Sequence, residues 1–513
     1  MQPNLSNKRT EQLISDIRQL IVAGTTYLNL TSCLEQKNAT EVVAILSLLK
    51  NAGIVHLDLG ANQLGEKTAA ELVSIFSVLK NSGISYLELA ANQLGEKTTA
   101  ELVTILSVFK NSGISHLSIG ANGLREKTAT ELVDILNTLR NSGIIHLDLS
   151  GHSLEHKTET ELIEILSTLK DSGISRLDLR LNNLAQKTEK ELIGILSALK
   201  NSGVTYLDLG KNDLGQKPAA ELVAILSTLK DSGISHLDLR GNNLGQKTGA
   251  ELAALLNILK NSGISHLDLS DNGLEQKTTA ELIALLSTLK DSGVSHLHLG
   301  NLGQKTGAEL AAILNVLKNS GISHLDLGSN NLGQKTVAEL IAIFSALKES
   351  GITHLDLSWN FLGEKTAIEL VAIFSALKDS GITHLDLNFN VLFHKKTAEE
   401  LALIVQAIPQ TIATVSLTIE ELKKMSPKHR QAIQTRFPKA EQIILVDEDH
   451  RQLNPSLSRA DANLYARLGF KASTPSLFNS ASFFVAINKD KFGSKIDSTL
   501  PHEAIEGVNR FRG

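Results

Sequence analysis

The sequence predicts an α/β solenoid, a row of short parallel strands backed by helices, on three observations. The stretch Ile54–Gly83 recurs as Ile84–Gly113 and again at a period of 30 residues almost to residue 410. Every unit opens with apolar residues at alternate positions, as in His236-Leu-Asp-Leu239. It then changes to apolar residues at helical spacing, as in Leu72, Ile75, Phe76 and Leu79. Such a period marks a supersecondary unit that cannot bury its apolar face alone and must stack on its neighbours.

From the N-terminus, residues 1–24 read as a capping segment, because Thr10, Leu13, Ile14, Ile17 and Leu20 give Lys8–Ala23 the helical half of a unit without its strand. Thirteen units fill residues 25–410, beginning at Thr25, Ile54, Ile84, Ile114, Ile144, Ile174, Val204, Ile234, Ile264, Val294, Ile322, Ile352 and Ile382. The first is one residue short near Cys33, and the unit at Val294 is two short.

Within a unit, strand alternation points Leu237 and Leu239 inward and His236, Asp238 and Arg240 outward. The turn Gly241-Asn242-Asn243-Leu244-Gly245 follows. Asn residues at 62, 92, 122, 182, 212, 242, 272, 330, 360 and 390 predict a ladder of side chains bonding the backbone of successive turns. Thr68 and Glu71 form a capping box at a helix start, Lys80 falls in the last helical turn, and Gly83 stands just beyond it. Strands pack ~4.8 Å apart and helices ~8–10 Å apart, so the stack is predicted to bend into a horseshoe with a concave parallel sheet and helices on the convex side.

Pro409 breaks the period. Thr414–Leu417 and Gln442–Val446 read as strands, and Glu420–Lys424 and Pro427–Arg436 as helices, of a C-terminal cap over residues 411–453. Residues 454–513 turn to Ser, Asn, Ala, Lys and Gly without a sustained period and read as a flexible tail. Its clearest apolar cluster is Phe478, Phe483, Phe484 and Val485.

Composition narrows the function. Hydrophobic residues at 42% and charged residues at 20% suit a folded soluble protein, and 4% aromatics imply an aliphatic core. A net charge of −5 over 513 residues gives no electrostatic reason to expect a nucleic-acid or anionic-membrane partner. No apolar run approaches the ~20 residues of a bilayer span, and no secretory signal is recognisable. Cys33 is the only cysteine, which excludes an intramolecular disulfide and a Cys-rich zinc site. It has no activating His or Asp close by in sequence and reads as a small buried thiol. There is no phosphate-binding loop, nucleophile elbow or zinc-protease helix, so the chain reads as no enzyme, with no cofactor and no metal. His152 and His156, four residues apart beside a turn, read as a solvent-exposed pair.

The form Ile-Ser-His-Leu-Asp-Leu-x-x-Asn-x-Leu, as in Ile264–Leu274, resembles the leucine-rich-repeat signature in its ribonuclease-inhibitor-like variant, over about residues 25–409. That resemblance implies an α/β horseshoe used for protein–protein recognition. Units carrying Asn-Ser-Gly-Ile-Ser-His-Leu-Asp-Leu and Leu-Gly-Gln-Lys-Thr-x-Ala-Glu-Leu are similar to the leucine-rich-repeat effectors that Legionella-type intracellular bacteria inject into host cells by type IV secretion. This narrower likeness implies a soluble protein of the bacterial cytoplasm that passes into the host cytosol, a host protein as partner, and a translocation signal in the tail. The alternative is a tail that itself holds an activity or a membrane- or secretion-targeting element, with the repeats recruiting its substrate.

Candidate binding positions lie in the strand columns and at breaks in the template. His and Asp recur on either side of the first strand leucine and would stack as two ladders on the concave face: His236, Asp238, His266, Asp268, His324, Asp326, His354, Asp356, His384 and Asp386. Three readings stand open: a solvated polar surface copied by duplication, a pH-sensitive contact surface of imidazoles that titrate near ~6.5, and adventitious metal binding. Trp359 and Phe389 occupy one column where other units have Ala61, Ala91, Gly241 or Ser329, with Phe361, Val391 and Phe393 beside them. They read either as anchors for a protein partner or as packing beneath the C-terminal cap. Arg176, Arg180, Lys211 and Arg240 break the template mid-array. They read either as a basic patch for an acidic partner or as charges paired with Asp178, Asp208 and Asp238.

Overall fold

A three-residue strand with a leucine at its centre is the element every unit contributes. The computed structural model describes residues 5–6, 8–22, 25–446, 452–453 and 465–466. The tail expected at 454–513 therefore lies outside the described residues apart from Tyr465 and Ala466. Two compact units result: Met1–Asp356 with Asp379–Gly381, and Leu357–Lys378 with Ile382–Gly513.

In the first unit the described strands, twelve from Tyr27–Asn29 to His354–Asp356, pair in sequence order and all in parallel. Leucine faces leucine across each pair, as Leu57 does Leu87 and Leu207 does Leu237. The register survives the two-residue deletion, because His296 still pairs with His324. Between the sheet and the row of helices lies an aliphatic core in which Leu57, Leu59, Leu64, Leu72 and Ile75 have no exposed surface. Burial of each such side chain contributes roughly 1.5–3 kcal/mol. The helix Thr10–Val22 precedes the first strand and buries Leu13 and Ile17.

The helices are shorter than the periodicity predicts. Ala69–Ser77 opens at the expected box, with the Thr68 side chain accepting from the Glu71 N–H and the Glu71 carboxylate accepting the Thr68 N–H at 2.8 Å. It closes three residues before Lys80, where the chain tightens: the N–H of Leu79 donates to the carbonyl of Phe76 at 3.0 Å and that of Lys80 to Ser77 at 3.2 Å. Asn81 then takes a left-handed conformation, φ 59°, and donates its N–H to the Ser112 carbonyl of the next unit at 3.0 Å. Asn tolerates this conformation better than most residues. The Asn-Ser-Gly stretch thus ends the helix and also ties neighbouring units, a double role that one glycine at Gly83 does not convey.

The expected Asn ladder forms. Asn92 Oδ1 accepts the N–H groups of Asn62 and Leu64 at 2.8 and 3.3 Å, and its Nδ2 donates to the carbonyls of Leu59 and Leu89 at 2.9 and 3.0 Å. Fully buried, it satisfies backbone groups that water cannot reach. The turn behind it is a 3-10 helix, Leu64–Glu66, packed so closely on the next unit that a Cβ at Gly65 would lie 2.4 Å from the Gln93 carbonyl oxygen, whereas other units fit Arg125, Glu155, Ala185 or Glu275 at the same position. A second ladder was not foreseen. Lys67 Nζ donates to the Lys37 carbonyl at 2.7 Å, and Lys127 Nζ to the Lys97 carbonyl at 2.6 Å. The recurrent Lys is therefore part of the scaffold.

The Asn ladder has two gaps in this unit. At Val294 the deletion removes the ladder residue, and the remaining Asn301 is exposed in a left-handed conformation, φ 65°. In the Ile144 unit the ladder position is His152, and the exposed pair expected at His152 and His156 is corrected: His156 is exposed, but His152 is only 3% exposed. Its column points into the core whatever residue fills it.

The second unit carries strands His384–Asp386, Thr414–Thr418 and Ile443–Val446 in parallel, with Gln452–Leu453 antiparallel to the last. Helices Ala367–Ser375, Ala398–Ala407, Ile419–Lys424 and Pro427–Arg436 accompany them. Glu421 takes over the ladder role at its end: the buried carboxylate accepts the Phe393 N–H at 2.5 Å, and burial pushes its pKa up. Tyr465 is fully buried, its hydroxyl accepting the Leu445 N–H at 2.9 Å and donating to the Ile443 carbonyl at 2.6 Å. Among the described residues no helix is long and apolar enough to cross a membrane.

Candidate protein-interaction surfaces

Strand spacing alone brings the outward side chains of the first unit to contact distance. Before the first strand leucine every described strand from Tyr27 to His354 carries Tyr, His or Arg, each a planar group. Ring centroids lie 3.6 Å apart for His236–His266 and His266–His296, 3.7 Å for His296–His324 and 3.8 Å for His324–His354. Toward the N-terminus Tyr27, His56 and Tyr86 continue the row at 4.8 and 4.2 Å, and the Arg176 guanidinium lies 4.3 Å from the Tyr206 centroid. Oγ of Ser235 and Ser265 lies 2.8 Å from Nδ1 of His236 and His266, and the same hydroxyls donate to the Thr205 and Ser235 carbonyls at 3.3 Å.

Three imidazoles of this row are neutral at pH 7. Burial lowers the pKa of His116 and His146 to about 4, and burial with repulsion from neighbouring imidazoles lowers His266 to about 4. The rings stack and do not converge, and no three His, Cys, Asp or Glu side chains among the described residues surround a common point. In the second unit, His384 has the same hydroxyl partner in Thr383, 2.8 Å from Nδ1, and burial lowers its pKa too.

The Asp column is not uniformly solvated. Asp178, Asp208 and Asp238 are buried, and their counter-ions come from the template breaks. Arg180 Nε donates to Asp178 Oδ2 at 2.7 Å and lies 3.1 Å from Asp208 Oδ2; Arg240 Nε donates to Asp238 Oδ2 at 2.7 Å and lies 3.8 Å from Asp268 Oδ2. A guanidinium fork suits carboxylates held on neighbouring strands. Arg176, Arg180, Lys211 and Arg240 therefore do not make a free basic patch: Arg180 and Arg240 are committed to the sheet, and Arg176 and Lys211 are the exposed members. Burial and repulsion from Asp238 and Asp178 still push Asp208 up to about 7.

His298 is the third counter-ion. It stands in the Asp column of the shortened unit, with Nδ1 3.0 Å from Asp268 Oδ2 and Nε2 3.5 Å from Asp326 Oδ2. Burial pulls its pKa down, but Asp268, Asp326 and Asp356 outweigh burial and raise it to about 9. It is an imidazolium at neutral pH. The sequence signal was His-Leu-His-Leu where other units have His-Leu-Asp-Leu, but its meaning depends on which carboxylates lie beside it.

The turns of the second unit differ in kind. Trp359 and Phe389 stack with centroids 4.3 Å apart and 11° between planes. Trp359, Phe361 and Val391 are exposed by 42%, 45% and 38%, while Phe393 is buried. All four turn residues are left-handed, with φ of 57° at Trp359, Phe361 and Phe389 and 52° at Val391. Bulky and β-branched residues rarely adopt this region. Beside them Phe389, Val391, His394, Thr418, Glu420, Glu421, Lys424 and Val446 line a cavity of about 140 Å³. In the first unit Leu181, in the same column as Trp359, is also left-handed and 53% exposed, an exception the sequence reading passed over. Cys33 is buried, its Sγ donating to the Thr31 carbonyl at 3.2 Å, and burial raises its thiol to about 11.

The strand–turn–helix unit, its buried Asn ladder and the leucine register define a leucine-rich-repeat solenoid of the α/β class. Among solved structures the chain is similar to the leucine-rich repeat-containing protein LegL7 from Legionella pneumophila, at 25% identity over 88% of this chain and 100% of that one, with a TM-score of 0.33. It also matches a phosphonopyruvate hydrolase complex with oxalate and Mg++ at 14% identity over 64% of this chain and 97% of that one, with a TM-score of 0.21. Neither superposition is close enough to add to what the register shows. No family model and no curated protein sequence matches the chain.

Proposed function

We propose that this chain is a non-catalytic scaffold for a protein partner, seated on the turns of Trp359, Phe361, Phe389 and Val391. The observation that carries this reading is four large apolar residues on left-handed backbone, of which Trp359, Phe361 and Val391 are exposed by 42%, 45% and 38%. Left-handed backbone at non-glycine residues costs about 1–3 kcal/mol each, and bulky side chains suit it least. Exposed apolar surface adds no folding energy in return. Ala61, Ala91 and Gly241 show that the column of Trp359 and Phe389 folds without an aromatic residue, and Gln63, Gln93 and Asn243 show the same for the column of Phe361 and Val391. Stacked Trp and Phe are typical of the anchors that dominate protein interfaces. Arg176 and Lys211 are the cations left to meet an acidic surface on a partner.

Alanine at both Trp359 and Phe389 is expected to weaken a captured protein partner by at least about thirty-fold, the equivalent of about 2 kcal/mol. Titration calorimetry with that partner checks this, and unchanged affinity would remove the proposal.

The unit signature shared with injected effectors supports a second level of the reading: delivery into a host cell, with the address in the C-terminal tail. Tyr465 hydrogen-bonds the strand Ile443–Val446, so the informative truncation ends after Ala466. Such a truncation is expected to keep partner binding and lose delivery in a reporter-fusion translocation assay. Undiminished delivery would place the address elsewhere.

A further inference from the structure

We infer that the aromatic turns of the second unit are covered, in the isolated chain, by the chain's own segment around Phe483, Phe484, Val485 and Ile487. The inference rests on the reading of Trp359 and Phe389 as a docking surface and names its first occupant. Three features lead to it.

The first is where the chain goes. Tyr465 is fully buried, with its hydroxyl bonded to Leu445 and Ile443. Val446, next to Leu445 on the same strand, lines the cavity beside Phe389 and Val391. The polypeptide is therefore anchored at Tyr465 to the strand that walls the cavity. The second is length. Residues 467–482 separate Ala466 from Phe483; fully extended they reach roughly 50 Å, and as a coil they average about 20 Å. A tether of this length holds the segment at about millimolar effective concentration, enough for a weak apolar contact to be occupied.

The third is complementarity. Phe483-Phe484-Val485-Ala486-Ile487 is an apolar run in a tail otherwise rich in Ser, Asn and Lys. Phe389, Val391 and Val446 supply the apolar part of the cavity lining, beside Glu420, Glu421 and Lys424, and Trp359 stacks on Phe389. A partner would then bind by displacing the segment, and the tail would set the threshold for docking.

Trp359 is the only tryptophan, so intrinsic fluorescence reads this surface directly. In the full-length protein, F483S/F484S is expected to shift Trp359 emission to the red and to raise its quenching by iodide. A synthetic peptide of residues 478–491 at millimolar concentration is expected to reverse both changes in the variant and to leave the wild type unaltered. A photo-crosslinking residue at position 484 is expected to yield an intramolecular adduct with a peptide containing Trp359, Phe389 or Val391. Emission unchanged by the substitutions, with no such adduct, overturns the inference. Emission that changes on dilution of the wild type also overturns it, in favour of a second copy as the occupant. None of these readouts requires the partner. A failed fluorescence test with partner binding still lost in the Trp359/Phe389 variant removes the cover and leaves the docking surface; the opposite pair of results keeps the cover and removes the docking surface.

Discussion

Replacing His152 by Asn stabilises the protein, by about 2 kcal/mol at pH 7 and by about 3 kcal/mol more at pH 4. Where the unit before is of full length, an Asn Oδ1 can take two of its buried N–H groups, as Asn182 takes those of His152 and Leu154 at 2.9 and 3.3 Å. His152 has no such oxygen to offer Asn122 and Leu124, and both its ring nitrogens are buried without a hydrogen-bond partner. A cavity of about 30 Å³, lined by Ile119, Leu149, Leu154 and other aliphatics, opens beside it. Supplying a missing acceptor to buried donors is worth about 1–3 kcal/mol.

The pH dependence of that change follows from burial, which lowers the His152 pKa to about 4, against a smaller opposing pull from Asp148. An unfolded imidazole titrates near ~6.5. Above that pH neither state holds the proton, and the ring contributes nothing that varies. As pH falls toward 4 the unfolded chain takes up a proton that the folded chain refuses, and stability drops by about 3 kcal/mol. Asn has nothing to titrate. Thermal unfolding of both proteins from pH 7.5 to 4, with hydrogen exchange followed in the Ile114 and Ile144 units, measures the difference; parallel pH profiles would contradict this account.

The opposite sign is expected at His298. Its folded pKa of about 9 lies above the unfolded value, so its contribution is fully present below about pH 6.5 and is lost as pH rises through 9. His298→Gln keeps the approximate volume without the charge. It is expected to be about 3 kcal/mol less stable at pH 6 and no less stable than wild type near pH 9.5. His298→Asp, which restores the repeat template, is expected to be the worse variant at neutral pH, because it sets a third carboxylate between Asp268 and Asp326 and leaves Arg240, 3.8 Å from Asp268 Oδ2 and already bonded to Asp238, to offset it. Asp326 is already pushed up to about 7 by burial and by Asp356. Denaturant unfolding across this pH range checks both variants. A Gln variant equally destabilised at pH 6 and 9.5 would show that packing, and not charge, is what His298 supplies.

These two histidines show how far the sequence can be read. The Asn ladder, the capping box at Thr68 and Glu71 and the strand alternation were all legible, because each depends on contacts within one unit or between identical neighbours. The template breaks were visible too, at Arg180, Arg240, His298, Trp359 and Phe389. Their roles were not. Arg180 and Arg240 read as a possible surface patch until the register set them among Asp178, Asp208, Asp238 and Asp268. His152 read as exposed until its column proved to point inward.

By itself the sequence determined the repeating unit and the order of strands, since a period of 30 with fixed inward leucines admits one way of stacking. Only the tertiary structure decided the charge state and exposure of the exceptions. A side chain's pKa depends on what lies within a few ångströms of it. Here those neighbours belong to strands about thirty residues away in the chain, so their effect appears only once the units are laid side by side.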